Sequence, residues 1–135
     1  MITRELDDSQ LVLRLQVTAE SVGVARRAAA QLAAQAGCRT PLLWRVRLAV
    51  SESVTNVLVH AHRDNGHLPH EVTVRARVDE HRVEVEVADD GSGMLARTDS
   101  PGMGLGLGAI AQSCYELSLE DGPAGGLTVR MTFLR

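Results

Sequence analysis

The chain has 135 residues, enough for one domain, with a formal net charge of −3 and 44% apolar residues. It contains no apolar run of 18 residues, "MITRELDDSQ" lacks the apolar core of a signal peptide, and the acidic balance speaks against nucleic acid or an anionic membrane as partner. All 14 basic residues are arginine, which excludes a P-loop lysine, the strand lysine of ordinary protein kinases and Schiff-base chemistry.

In chain order, "QLVLRLQV" over 10–17 puts Leu11, Leu13, Leu15 and Val17 on one face, the period of a strand. Thr18 suits the cap of a helix over about 19–36, with Val22, Ala25, Ala29, Leu32 and Ala36 as its apolar stripe and Gly37 as its stop. Thr40-Pro41 opens a second helix to about His62, because proline fits the first helical position. "RDNGHLPH" is a turn-rich loop. Two alternating strands follow, "EVTVRARVD" and "RVEVEVAD", turning near Glu80-His81. A third helix is expected over about 104–114, with Leu107, Ile110, Ala111 and Cys114 inward. "YELSLE" and "LTVRMTFL" are two further strands, joined through "DGPAGG".

With one Trp, one Tyr and one Phe, the core must be aliphatic. Cys38 and Cys114 show no metal spacing and read as small buried hydrophobes in a reducing cytoplasm. Because every strand alternates, the sheet should be covered on one face only. The expected fold is α+β: a two-layer α/β sandwich, with a mixed, mostly antiparallel sheet of about five strands and three helices on one face. Residues 1–135 form one domain without repeats.

Three motifs carry candidate chemistry. In "SESVTNVLVHAH", Glu52, Asn56 and His60 share one helix face at spacings of four. That face is either a solvated stripe or a carboxylate and an amide aimed into a pocket. An amide oxygen is a hard ligand suited to Mg²⁺, and a glutamate one turn away can orient or deprotonate a nucleophile. In "ADDGSG", Asp89, Gly91 and Gly93 follow a strand. They form a plain Asp-Gly turn or a carboxylate that accepts a hydrogen bond from an exocyclic amine, with glycines that let backbone approach a ring. In "GMGLGLGAI", Gly102, Met103, Gly104, Leu105 and Gly106 run into a helix, either as a flexible loop or as freed N–H groups that bind phosphate without lysine. Six of the twelve glycines fall between Asp89 and Gly108. A fourth constellation, His60, His62, His67 and His70, matches no established zinc pattern and reads as a solvated loop.

The order of these motifs, from E-x-x-x-N on a helix through D-x-G-x-G to G-x-G-x-G at a helix start, resembles the GHKL (Bergerat-fold) ATP-binding family. Within it the chain is most similar to the stand-alone bacterial anti-sigma-factor serine/threonine kinases. The resemblance runs from the first strand to "GGLTVRMTF". The phosphoacceptor hairpin of histidine kinases and the transducer domain of the related ATPases do not fit in 135 residues.

The resemblance implies ATP and Mg²⁺ as cofactors. It implies Glu52 as general base toward a serine hydroxyl and Asn56 as Mg²⁺ ligand. Asp89 would read the adenine amine beside Gly91 and Gly93. The 102–106 segment would wrap the phosphates, with 94–101 as a lid, and Arg26, Arg27 or Arg97 would meet remaining charge. It implies a cytoplasmic protein whose partners are a sigma factor and a serine-bearing anti-anti-sigma protein. Homodimers are common among such proteins, and the open sheet face and first helix are the surfaces available for one. The alternative is a non-catalytic module that holds nucleotide and sequesters its regulator. Two departures bear on that choice: the lid is short, and Leu127 stands where the family often carries threonine, with Thr128 on the opposite strand face.

Overall fold

The computed structural model describes residues 2–63, 71–89, 108–121 and 126–135. In chain order the elements are β1 (Ile2–Leu6), β2 (Gln10–Gln16), α1 (Ala19–Gln35), α2 (Thr40–Arg63), β3 (Glu71–Val78), β4 (Arg82–Asp89), β5 (Glu116–Asp121) and β6 (Leu127–Leu134). A further helical stretch occupies residues 108–113, between β4 and β5. The strands form one sheet in the order β1-β2-β3-β4-β6-β5, and each neighbouring pair is antiparallel.

Alternation explains which face is covered. Leu11, Leu13 and Leu15 of β2, Val72, Val74 and Ala76 of β3, Val83, Val85 and Val87 of β4, and Val129, Met131 and Phe133 of β6 all point inward and are buried. Against them lie the helices, α1 over β2 and β3 and α2 over β4 and β6, packed side by side. Their buried rows are Ala25, Ala29, Leu32 and Ala33 on α1 and Val46, Ala49, Val50, Val54 and Val57 on α2. The core is aliphatic except for Phe133; Trp44 and Tyr115 are exposed. On the outer face, cross-strand ion pairs join Arg77 to Glu84 at 2.7 Å and Arg130 to Glu120 at 2.8 Å, and Arg130 also pairs with Glu86. Exposed pairs of this kind contribute little stability and serve mainly to keep that face polar.

Local signals set the element ends. Thr18 is extended, and its N–H donates to Ser21 Oγ at 2.9 Å, so α1 starts where expected. Its far end is a Schellman turn: Gly37 N–H donates to Ala34 O at 3.0 Å, Cys38 N–H to Ala33 O at 3.0 Å, and Gly37 has φ +87°. Arg135 then clamps the turn, donating to Ala36 O and to Asp79 O, each at 2.7 Å.

The α+β sandwich with its antiparallel sheet stands as expected, and the sheet gains one strand. β1 was not expected because Ile2 and Leu6 alone carry no visible alternation. Its pairing comes from the turn, where Asp7 Oδ1 accepts the N–H groups of Ser9 and Gln10 at 2.8 Å each. Two further expectations are corrected. Ala111 faces solvent, and Ser113 is buried beside Ile110 in its place, because the stretch over 108–113 is rotated from the anticipated stripe. Both cysteines are half-buried at the core margin rather than fully inside, and burial raises each thiol's pKa.

Candidate nucleotide site

The site is built on α2 and the end of β4. α2 begins beside the last residues of β6, where Pro41, Leu42 and Arg45 share a cavity wall with Leu134 and Arg135. Further along, Ser53 Oγ lies 3.5 Å from Met131 Sδ, and Met131 pairs with Val85. The helix therefore runs antiparallel to β6 and in the same direction as β4, toward Asp89. From Val85 to Asp89 the strand advances about 13 Å. From Ser53 to Asn56 the helix advances about 4.5 Å. Asn56 and Asp89 therefore both lie beyond the level of Ser53, toward the same end of the sandwich.

Each of these two positions carries a sequestered polar group. Asn56 is only 6% exposed, although asparagine is seldom buried without a task. Glu52, one turn earlier on the same side, is half-buried. Glu52 thus sits nearer the helix flank, while Asn56 turns toward the sheet, so the shared face is not a solvated stripe. Ser53, between them, is buried and spends its hydroxyl on Ala49 O at 2.8 Å. Asp89 ends β4 with the parity of Val83, Val85 and Val87, so its carboxyl faces the helix layer, and its Oδ2 is closed off from solvent. An acceptor carboxylate at the strand end and a buried amide on the facing helix form a donor set that fits an amine-bearing base at one end and a hard cation at the other.

β6 completes the floor. Gly126, just before it, has φ +80°, a conformation that favours glycine, and is buried. Leu127 is 2% exposed and faces inward with Val129, while Thr128 lies on the outer face opposite Ala88. No hydroxyl of β6's first two residues therefore shares the face of Asp89.

Gly91, Gly93, Gly102, Met103, Gly104, Leu105, Gly106, the 94–101 segment, Arg97 and Leu107 lie outside the described residues, as do His67, His70 and the side chains of His60 and His62. Gly108 opens the described helical stretch, and a Cβ there would meet nothing within 4 Å. Arg26 and Arg27 sit on α1, and the Arg27 guanidinium folds back over Gly23, approaching the place of a Cβ there to 2.9 Å.

The two-layer α+β sandwich thus sets an acid-amide pair on one helix against a strand that ends in a carboxylate. Comparison with known proteins gives the family: the chain belongs to the histidine kinase-like ATPase domain family, whose profile matches residues 15–133. It is 26% identical over 136 residues to the anti-sigma F factor of Caldanaerobacter subterraneus, covering 93% of both chains. It is 24% identical to the anti-sigma F factor of Bacillus subtilis, covering 92% of this chain and 91% of that one. The serine-protein kinase RsbW of Listeria innocua is 31% identical over 83 residues, 62% of this chain and 52% of the relative. Among solved structures, the RsbU and RsbW domains of a Mycobacterium tuberculosis protein share the fold with a TM-score of 0.66 at 21% identity, over 91% of this chain and 32% of that one. Among the described residues no helix is long and apolar enough to cross a membrane.

Proposed function

We propose that the chain is a cytoplasmic, Mg-ATP-dependent serine/threonine kinase and anti-sigma factor. It would hold a sigma factor and phosphorylate a serine-bearing anti-anti-sigma protein. The observation that carries this reading is the pairing of half-buried Glu52 with buried Asn56 one turn apart on α2, on the helix that faces the strand ending in Asp89. The names of the relatives support the partner assignment.

In this reading Asp89 accepts the adenine amine and Asn56 presents its amide oxygen to the cation. Glu52, more exposed than Asn56, receives the proton of the incoming serine hydroxyl. Mg²⁺, when bound, would neutralise phosphate charge, as is usual in phosphoryl transfer. Gly91, Gly93 and the 102–106 segment would complete the nucleotide cradle through backbone N–H groups, without lysine.

The test is Glu52→Ala, assayed with radiolabelled ATP and candidate antagonist proteins. Phosphorylation should fall by about 10²-fold or more, as for loss of a general base, while ATP still binds. A variant that phosphorylates as fast as the parent ends the general-base assignment of Glu52, and a parent chain that phosphorylates no antagonist protein ends the kinase reading. A second reading, a nucleotide-holding module that sequesters its regulator without phosphorylating it, is favoured by Leu127, which puts an apolar side chain on the face of Asp89. It predicts that Glu52→Ala regulates its partner undiminished.

A further inference from the structure

We propose that the cavity at the α1–α2 turn is a second binding site, which takes a small organic anion: a carboxylate or phosphate ester on an apolar body. The cavity has a volume of about 670 Å³, within the range of small-molecule sites. Leu42 and Leu134 supply apolar wall, and Arg39, Arg45 and Arg135 supply charge. Among the described residues no acidic side chain lines it.

Among the described residues this charge meets no carboxylate side chain. On the outer sheet face Arg77, Arg82 and Arg130 each lie against a glutamate. Arg39 and Arg45 form no such pair among the described residues. Arg135 is anchored by two neutral carbonyls, Ala36 O and Asp79 O, each at 2.7 Å, which fix its fork without cancelling its charge. The nearby Asp79 carboxylate is occupied by the N–H groups of His81 and Arg82, at 2.8 and 2.9 Å. Counting the carboxylate of residue 135 against three guanidinium groups still leaves the wall positive.

Arginine forks match carboxylate and phosphate oxygens in pairs, and the leucines favour an apolar body behind the anionic head. The site is distinct from the candidate nucleotide site. Leu134 pairs with Arg82, at the start of the strand that Asp89 ends, so the two lie about 23 Å apart along β4. α2 links them, since its first turns line the cavity and its middle carries Glu52 and Asn56.

The test is an NMR titration of the isotope-labelled full chain with 1-naphthyl phosphate, 1-naphthoate and neutral 1-naphthol. The expected result is saturable shifts centred on residues 37–45 and 134–135 with one or both anions, the tighter one identifying the head group. 1-Naphthol should bind at least about tenfold more weakly, and Arg39→Ala/Arg45→Ala should weaken the anions by about tenfold. Both arginines are exposed, so the double variant keeps its fold, which its spectrum checks. Absent shifts, shifts centred on Asn56 and Asp89, equal binding of 1-naphthol, or binding undiminished in the double variant would each overturn the proposal.

Discussion

Leu127→Thr separates the packing role of the first residue of β6 from the chemistry of the face it shares with Asp89. Leu127 is 2% exposed and belongs to the core cluster. Replacement by threonine removes apolar volume and introduces a hydroxyl into that layer, a cost of about 2–4 kcal/mol. For a domain of this size that lowers Tm by roughly 6–16 °C. Leu127→Val is the control, since it loses volume without adding a donor and should cost about 1 kcal/mol. If the inner face at Leu127 opens on the adenine pocket, the new hydroxyl adds a net hydrogen bond of about 0.5–1.5 kcal/mol. ATP affinity should then rise by about 2–12-fold over Leu127→Val. Thermal unfolding measures the first effect, and titration calorimetry run well below the lower Tm measures the second. An affinity no higher than that of Leu127→Val would refute the placement of Leu127 against the nucleotide, whatever happens to stability.

Two glycines should respond in opposite directions. Gly37→Ala forces a Cβ into φ +87° and should cost about 1–2 kcal/mol, read as a lower Tm. Gly108→Ala has open space around the new Cβ and should stabilise by about 0.5–1 kcal/mol; a Tm that falls would show that the space is used. Asp7 and Asp79 both have lowered pKa values, each because two backbone N–H groups donate to its carboxylate. A depressed folded pKa contributes stability that is present above the unfolded value and lost as pH falls through the folded one. Tm should therefore decline with acidification below about pH 4, less steeply in Asp79→Asn; parallel profiles for variant and parent would contradict the assignment.

Much of the fold was readable because the sheet is covered on one face. Val72, Val74, Ala76 and Val78 could alternate only if the residues between them met water, and they do. Asp89 shares the inward parity of Val83, Val85 and Val87, whereas the sequence alone left it open between a plain turn and a site carboxylate. β1 was not readable, since an edge strand with two apolar residues takes its pairing from an Asp7 turn rather than from hydrophobic pattern. Ala111 was misassigned because alanine is tolerated on either face of a helix, so its spacing carried little information. Glu52 and Asn56 were readable as a pair, whereas their different depths depend on where α2 meets β6. The arginine-walled cavity was invisible because its charges come from positions 39, 45 and 135, which only the packed chain brings together.

The most direct test of the nucleotide site is titration calorimetry of the full chain with ATP, with and without Mg²⁺, beside Asp89→Asn. The substitution keeps the shape of the side chain and puts an amide where the adenine amine must find an acceptor. The account predicts Mg²⁺-dependent binding by the parent chain that the variant loses. Absence of binding at millimolar ATP, or equal binding by both proteins, would contradict it and leave the family fold without a nucleotide site built on Asn56 and Asp89.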